Sequence, residues 1–113
     1  AGMTVGSHSV HHAHLNDIDD ANARMELIDS KKAIEEALSA PCHHFCCPFG
    51  VPGVDFNPAR HPSMAKEAGY KSFLTTRRGA NTSGANAFAI RRDHMLANAS
   101  LLEARYFLGA EDT

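Results

Sequence analysis

The 113-residue sequence lacks what several classes of protein require. No apolar run approaches the roughly 18 residues of a membrane span. The formal net charge of -2 leaves no basic excess to hold nucleic acid. The first residues carry no charged start followed by a hydrophobic block, so no secretory leader is visible. The compartment stays open between cell envelope and cytoplasm. Only three cysteines occur, Cys42, Cys46 and Cys47, all in one cluster. An odd, clustered set makes a poor disulfide framework, and free thiols are expected. Internal repeats and low-complexity segments are also missing. The length fits one domain with a modest core. It is too short for a complete (β/α) barrel, which needs about 200 residues or more. The chain starts at Ala rather than Met, and a processed product or a portion of something longer is the expectation.

What the sequence has in abundance is histidine at one place. Four of the eight histidines fall between Gly6 and Leu15: His8, His11, His12 and His14. Histidine is the side chain best suited to bind a metal as a neutral ligand or to exchange protons near neutral pH. The stretch is bracketed by an apolar lead-in that predicts a strand over 1–7 and an Asn/Asp-rich helix start at 16–20.

The helix is predicted over 17–39, capped by Asn16 or Asp17, with Leu27, Ile34 and Leu38 on one face and Ile28 at its edge. Lys31, Lys32, Glu35 and Glu36 form its wet side, and Pro41 stops it. A second strand is expected at 43–48 and a Gly/Pro loop at 49–53. A short helix over 58–68 should bury Met64, Ala65 and Ala68, with Gly69 at its C-terminal cap. A third strand, at 70–76, has Phe73 and Leu74 as its core. After a polar loop, a fourth is expected at 88–91, and a capped helix at 100–108. This alternation argues for a mainly parallel α/β sheet with right-handed crossovers and its site at the carboxyl ends of the strands. His8 and the Pro48-Phe49-Gly50 turn both fall at such ends, one strand-helix-strand unit apart.

On a helix, His8 and His12 would share a face and bind one ion. Here the pair starts at a strand end, so a turn must bring the rings together. From spacing alone, a metal site and a solvated histidine cluster stand level. A second dense run is Cys42-His43-His44-Phe45-Cys46-Cys47. It lacks the spaced Cys-x-x-Cys pairs of zinc ribbons, and in a strand His44 and Cys46 would point away from Phe45 and Cys47. Buried thiols acting as small hydrophobes are the simpler account. Asp55, in the loop after Phe49, is expected in a surface turn, with a place near the site as the alternative. Arg77-Arg78 and Arg91-Arg92 are expected to be solvated, and Tyr106 and Phe107 to pack.

Gly6-Ser7-His8-Ser9-Val10-His11-His12-Ala13-His14-Leu15 resembles the metal motif of the polysaccharide deacetylases, carbohydrate esterase family 4. Phe45-Cys46-Cys47-Pro48-Phe49-Gly50 is similar to that family's next motif, and 65–76 is a weaker match. The resemblance covers roughly residues 1–92. It implies an α/β fold that is a partial (β/α) barrel of the polysaccharide deacetylase type, with about four mainly parallel strands and three helices. It implies His8 and His12 as ligands of a divalent metal, zinc foremost, and leaves His11 and His14 in variable positions. It implies the Phe49 backbone N–H as an oxyanion donor, and Pro48 and Phe49 as walls of a carbohydrate-binding groove; Cys47, placed just before Pro48, is a further candidate to line it. Its activity is hydrolysis of N-acetyl or O-acetyl groups on a polysaccharide.

The sequence departs from that pattern in three places. The family's Asp-Asp motif should precede His8, yet none of the seven preceding residues is acidic. Cys46 stands where many members carry Arg. The late Leu-x-His motif is missing, and His94 is the only late histidine to weigh as general acid. The 113-residue chain alone is therefore expected to be inactive, as the C-terminal part of a deacetylase domain. The rival readings are a non-catalytic carbohydrate-binding or interaction module on the same fold, and a small zinc-stabilised module using Cys42, Cys46 or Cys47. An incomplete barrel exposes strand edges, so a homo-oligomer or a partner supplying strands is expected.

Overall fold

The computed structural model describes residues 4–92. The expected helix at 100–108, with Tyr106 and Phe107, and His94 lie outside them. In chain order the described residues form a 3-10 turn (Leu15–Asp17), α1 (Asp20–Leu38), β1 (His44–Cys46), α2 (His61–Glu67) and β2 (Ser72–Leu74).

β1 and β2 pair in parallel, with His44 opposite Ser72, Phe45 opposite Phe73 and Cys46 opposite Leu74. Two single rungs extend the pair on either side: Ser7 bridges Phe45 and Ile90 bridges Leu74, both parallel. The four predicted strands therefore lie side by side in chain order, but only two are strands among the described residues. The first is reduced to the bonds Ser7 N–H to His44 O and Cys46 N–H to Ser7 O, each 2.8 Å. The fourth is broken by a bulge. Phe73 N–H donates to Ala87 O and Phe73 O accepts from Ile90 N–H, so Phe88 and Ala89 stand where one residue would continue a regular ladder. A turn closed by Ala89 N–H to Asn86 O uses the extra residue.

α1 starts later than predicted. Asp19, not Asn16 or Asp17, is its cap, accepting from Asn22 N–H at 2.8 Å. Asn16 is drawn away by a tertiary contact: its N–H donates to Asp55 O and its side-chain amide to Val54 O. The buried face of α1 also differs. It consists of Ala23, Glu26, Leu27 and Ser30, with Ile34 packed at its margin, while Leu38 and Ile28 are exposed. Lys31 and Glu35 are half-buried and bonded to each other at 2.6 Å.

α2 buries Met64 and Ala65, and Gly69 follows it at φ +102°, donating its N–H to Lys66 O. Such a left-handed C-cap position favours glycine. The core is an aromatic row. Phe45 and Phe73 lie 5.3 Å apart, Phe56 and Phe73 4.9 Å, and Phe45 and Tyr70 5.5 Å between ring centroids. Each buried Phe contributes about 1.5–3 kcal/mol. The strand alternation holds: Phe45 and Cys47 are fully buried, His44 and Cys46 half-exposed.

Candidate active site

The site lies where the Ser7 rung and β1 end. His8 and His12 do not use a helix to approach each other. Ser9 and His12 both adopt left-handed backbone, at φ 65° and 53°, and the Ser9 hydroxyl accepts from His12 N–H at 3.0 Å. Left-handed conformations are costly for residues with a Cβ, about 1–3 kcal/mol each, and persist only where the surroundings impose them. This tight turn brings the rings to 4.7 Å between centroids at an interplanar angle of 65°. Both histidines are exposed. His8 donates Nδ1–H to Cys46 O at 2.7 Å, which leaves its Nε2 as the lone-pair nitrogen.

Across from this turn, Phe49 is also left-handed, at φ 62°. The segment after β2 holds it there. Thr76 donates its hydroxyl to Phe49 O at 2.6 Å and its N–H to Gly50 O at 2.8 Å. Gly50 is itself at φ 64°, and a Cβ there would meet Thr76 N at 2.8 Å, so only glycine fits. The Phe49 ring lies 4.8 Å from that of His12 and stacks on that of His14 at 3.7 Å and 4°. Its N–H donates to no group among the described residues. Of the three residues expected to wall a groove, Cys47 and Pro48 are fully buried, and only Phe49 offers a side-chain surface. Burial pushes the Cys47 thiol up to about 12. It also raises the Cys46 thiol, partly offset by the Arg92 guanidinium.

Beside His8 opens a cavity of about 600 Å³ on the sheet face opposite the helices, lined by His44, Cys46, Ser72, Leu74 and Arg92 among others. Arg92 was expected to be solvated, but it is half-buried and donates Nε–H to Thr75 O at 3.0 Å.

Asp55 corrects the sequence reading most clearly. Expected at the surface, it is 5 % exposed. It accepts from His14 Nδ1–H at 2.6 Å and from Val51 N–H at 2.9 Å. Glu26 was missed entirely. It is a buried carboxylate on α1 that accepts from Val10 N–H, His11 N–H and His11 Nδ1–H. The signal for Glu26 was a charge falling between Ala23 and Ser30 on the apolar stripe. For Asp55 the signal was its place in the loop after Phe49, which left a position near the site open beside the surface turn.

The histidine pair fits half a coordination shell. Two imidazoles on one tetrahedral ion with Zn–N of about 2.0–2.1 Å have centroids roughly 5 Å apart, close to the separation here. Among the described residues no group of three or more His, Cys, Asp or Glu is arranged to hold a metal. That holds for the 42–47 cluster as well.

A sequence profile of the polysaccharide deacetylases matches residues 1–73, and the chain belongs to that family. Curated protein sequences yield no match. Among solved structures, the chain is similar to a Streptococcus pyogenes deacetylase in complex with acetate, with a TM-score of 0.77 and 22% identity. That alignment covers 94% of this chain and 45% of the other. It is also similar to a polysaccharide deacetylase from Bacillus cereus, with a TM-score of 0.76 and 21% identity over 93% of this chain and 32% of the other. The fold is thus of the deacetylase type, and the chain spans less than half the length of these structures. Among the described residues no helix is long and apolar enough to cross a membrane.

Proposed function

We propose that this chain carries part of the active site of a metal-dependent deacetylase acting on an acetylated poly- or oligosaccharide. His8 and His12 are two ligands of a divalent metal, zinc foremost, and the Phe49 N–H is a donor to the tetrahedral oxyanion. The observation that carries this reading is the convergence of two exposed rings 4.7 Å apart beside a turn whose N–H has no acceptor among the described residues.

When bound, the metal would polarise the acetyl carbonyl and lower the pKa of a water. The His8–Cys46 bond fixes the tautomer that leaves Nε2 free to ligate. The Phe49 turn, pinned by Thr76, aims its N–H without reorganisation, which is what makes such a donor effective. The third ligand, the carboxylate that takes a proton from water and the acid that protonates the leaving amine come from outside the described residues. His94 is the candidate acid within the chain. The chain alone is accordingly inactive on acetylated sugars, and the Ser7 and Ile90 rungs are edges for a second copy or for further strands.

Zinc titration against a competing chelator tests the ligands. The His8→Ala variant should bind at least about a hundredfold more weakly than the native chain. Equal affinity in the two would remove the metal reading.

A further inference from the structure

The two histidines that the metal motif leaves in variable positions each end on a buried carboxylate. His11 meets Glu26 at 2.9 Å, and His14 meets Asp55 at 2.6 Å. Both carboxylate side chains are 8 % exposed. Each also takes backbone N–H groups from the turns that form the site. Glu26 holds Val10 and His11, between the two ligand histidines, at 2.9 and 3.2 Å. Asp55 holds Val51, two residues past Phe49, at 2.9 Å, and through His14 it presents an imidazole that stacks on the Phe49 ring.

We propose that Glu26 and Asp55 are positioning residues: two buried carboxylates that staple the histidine loop, one to α1 and one to the 51–56 turn, and so set where His8, His12 and Phe49 stand. The proposal rests on the metal reading given above for its consequence, but not for its geometry. Three left-handed residues, Ser9, His12 and Phe49, need an external cause to persist. For Ser9 and His12 the Glu26 staple supplies it, and at the Phe49 turn the Asp55 staple on Val51 N–H acts beside Thr76, which holds the Phe49 and Gly50 carbonyls: a carboxylate accepting several N–H bonds in a buried setting is a strong and directional anchor. Removing either carboxylate frees its N–H groups and lets the backbone relax from that conformation. A side-chain amide keeps an oxygen acceptor in the same place, so Glu26→Gln should recover much of what Glu26→Ala loses.

The test uses the full chain and two readouts, zinc affinity by chelator competition and amide hydrogen exchange at residues 9–12 and 49–51 without metal. Met64→Ala is the control, a destabilising change in α2 that touches neither staple. At a temperature where all variants are folded, Glu26→Ala and Asp55→Ala should bind zinc about 10–100-fold more weakly, the usual cost of losing an outer-shell partner. Their loop amides should exchange at least tenfold faster. Met64→Ala should leave both within about twofold, and Glu26→Gln should lie near the native chain. Glu26→Ala and Asp55→Ala moving no further than Met64→Ala would overturn the proposal, since the carboxylates would then act on stability alone. Native chain and His8→Ala binding zinc equally would remove the metal reading; loop exchange would still decide the staples, unchanged rates overturning them and faster rates upholding them.

Discussion

Two stretches of this chain are rich in metal-ligating side chains, and they meet opposite fates. Residues 6–15 turn back on themselves through left-handed positions and present His8 and His12 to solvent, ring against ring. Residues 42–47 run extended, and the pleat sends Phe45 and Cys47 into the core while Cys42 is buried just ahead of the strand. Ligand-type residues alone do not make a site. A backbone that points several of them at one place does, and a strand's two-residue period points neighbours apart.

Experiments can break that contrast. The largest effect should come from Phe45→Ala, which empties the centre of the aromatic row and should cost about 3–5 kcal/mol in urea unfolding. Val10→Ala, in the exposed loop, should stay within about 0.5 kcal/mol. Comparable costs would mean that the second stretch is not core. Thiol chemistry probes the same region. With its thiol pushed by burial from the ordinary 9.0 up to about 12, Cys47 should be alkylated at pH 8 about a thousandfold more slowly than in the urea-unfolded chain. Rapid native-state labelling at Cys47 would contradict its burial.

Next comes the turn facing the histidines. Gly50→Ala forces a Cβ against Thr76 N at positive φ and should cost about 1–3 kcal/mol while weakening any zinc binding. Full retention of both would show that the turn is soft. The smallest effect concerns Glu35, whose carboxyl is held below its usual value by Lys31 and by the Cys42 N–H. A depressed carboxyl pKa adds stability above its unfolded value of 4.5, lost as pH falls below that value. Because both side chains keep partial contact with water, the slope should be shallow and should fade in Lys31→Ala or in high salt. A slope that survives both would assign it to other groups.

Sequence and structure agree where local pattern and tertiary demand coincide. The β1 alternation, the parallel order and the cap glycine of α2 were all legible, because each follows from a short-range rule. The disagreements arise where distant residues compete for a local group. Asn16 would make a good cap, but the 54–55 turn claims its donors. Asp55 looks like a turn carboxylate until His14, 41 residues away, is brought onto it. The left-handed turn at Ser9 and His12 carries no glycine to announce it, and the bulge at Phe88 and Ala89 depends on register rather than composition.

The contacts that shape the site are long in sequence. His8 reaches Cys46 across 38 positions, and Phe49 is fixed by Thr76 across 27. Such contacts form only after large loops have closed, which makes them late and cooperative events in folding. A ten-residue peptide copied from Gly6–Leu15 would therefore contain all four histidines and none of the site. On the metal reading proposed above, zinc binding should appear and disappear with the sheet rather than with the motif.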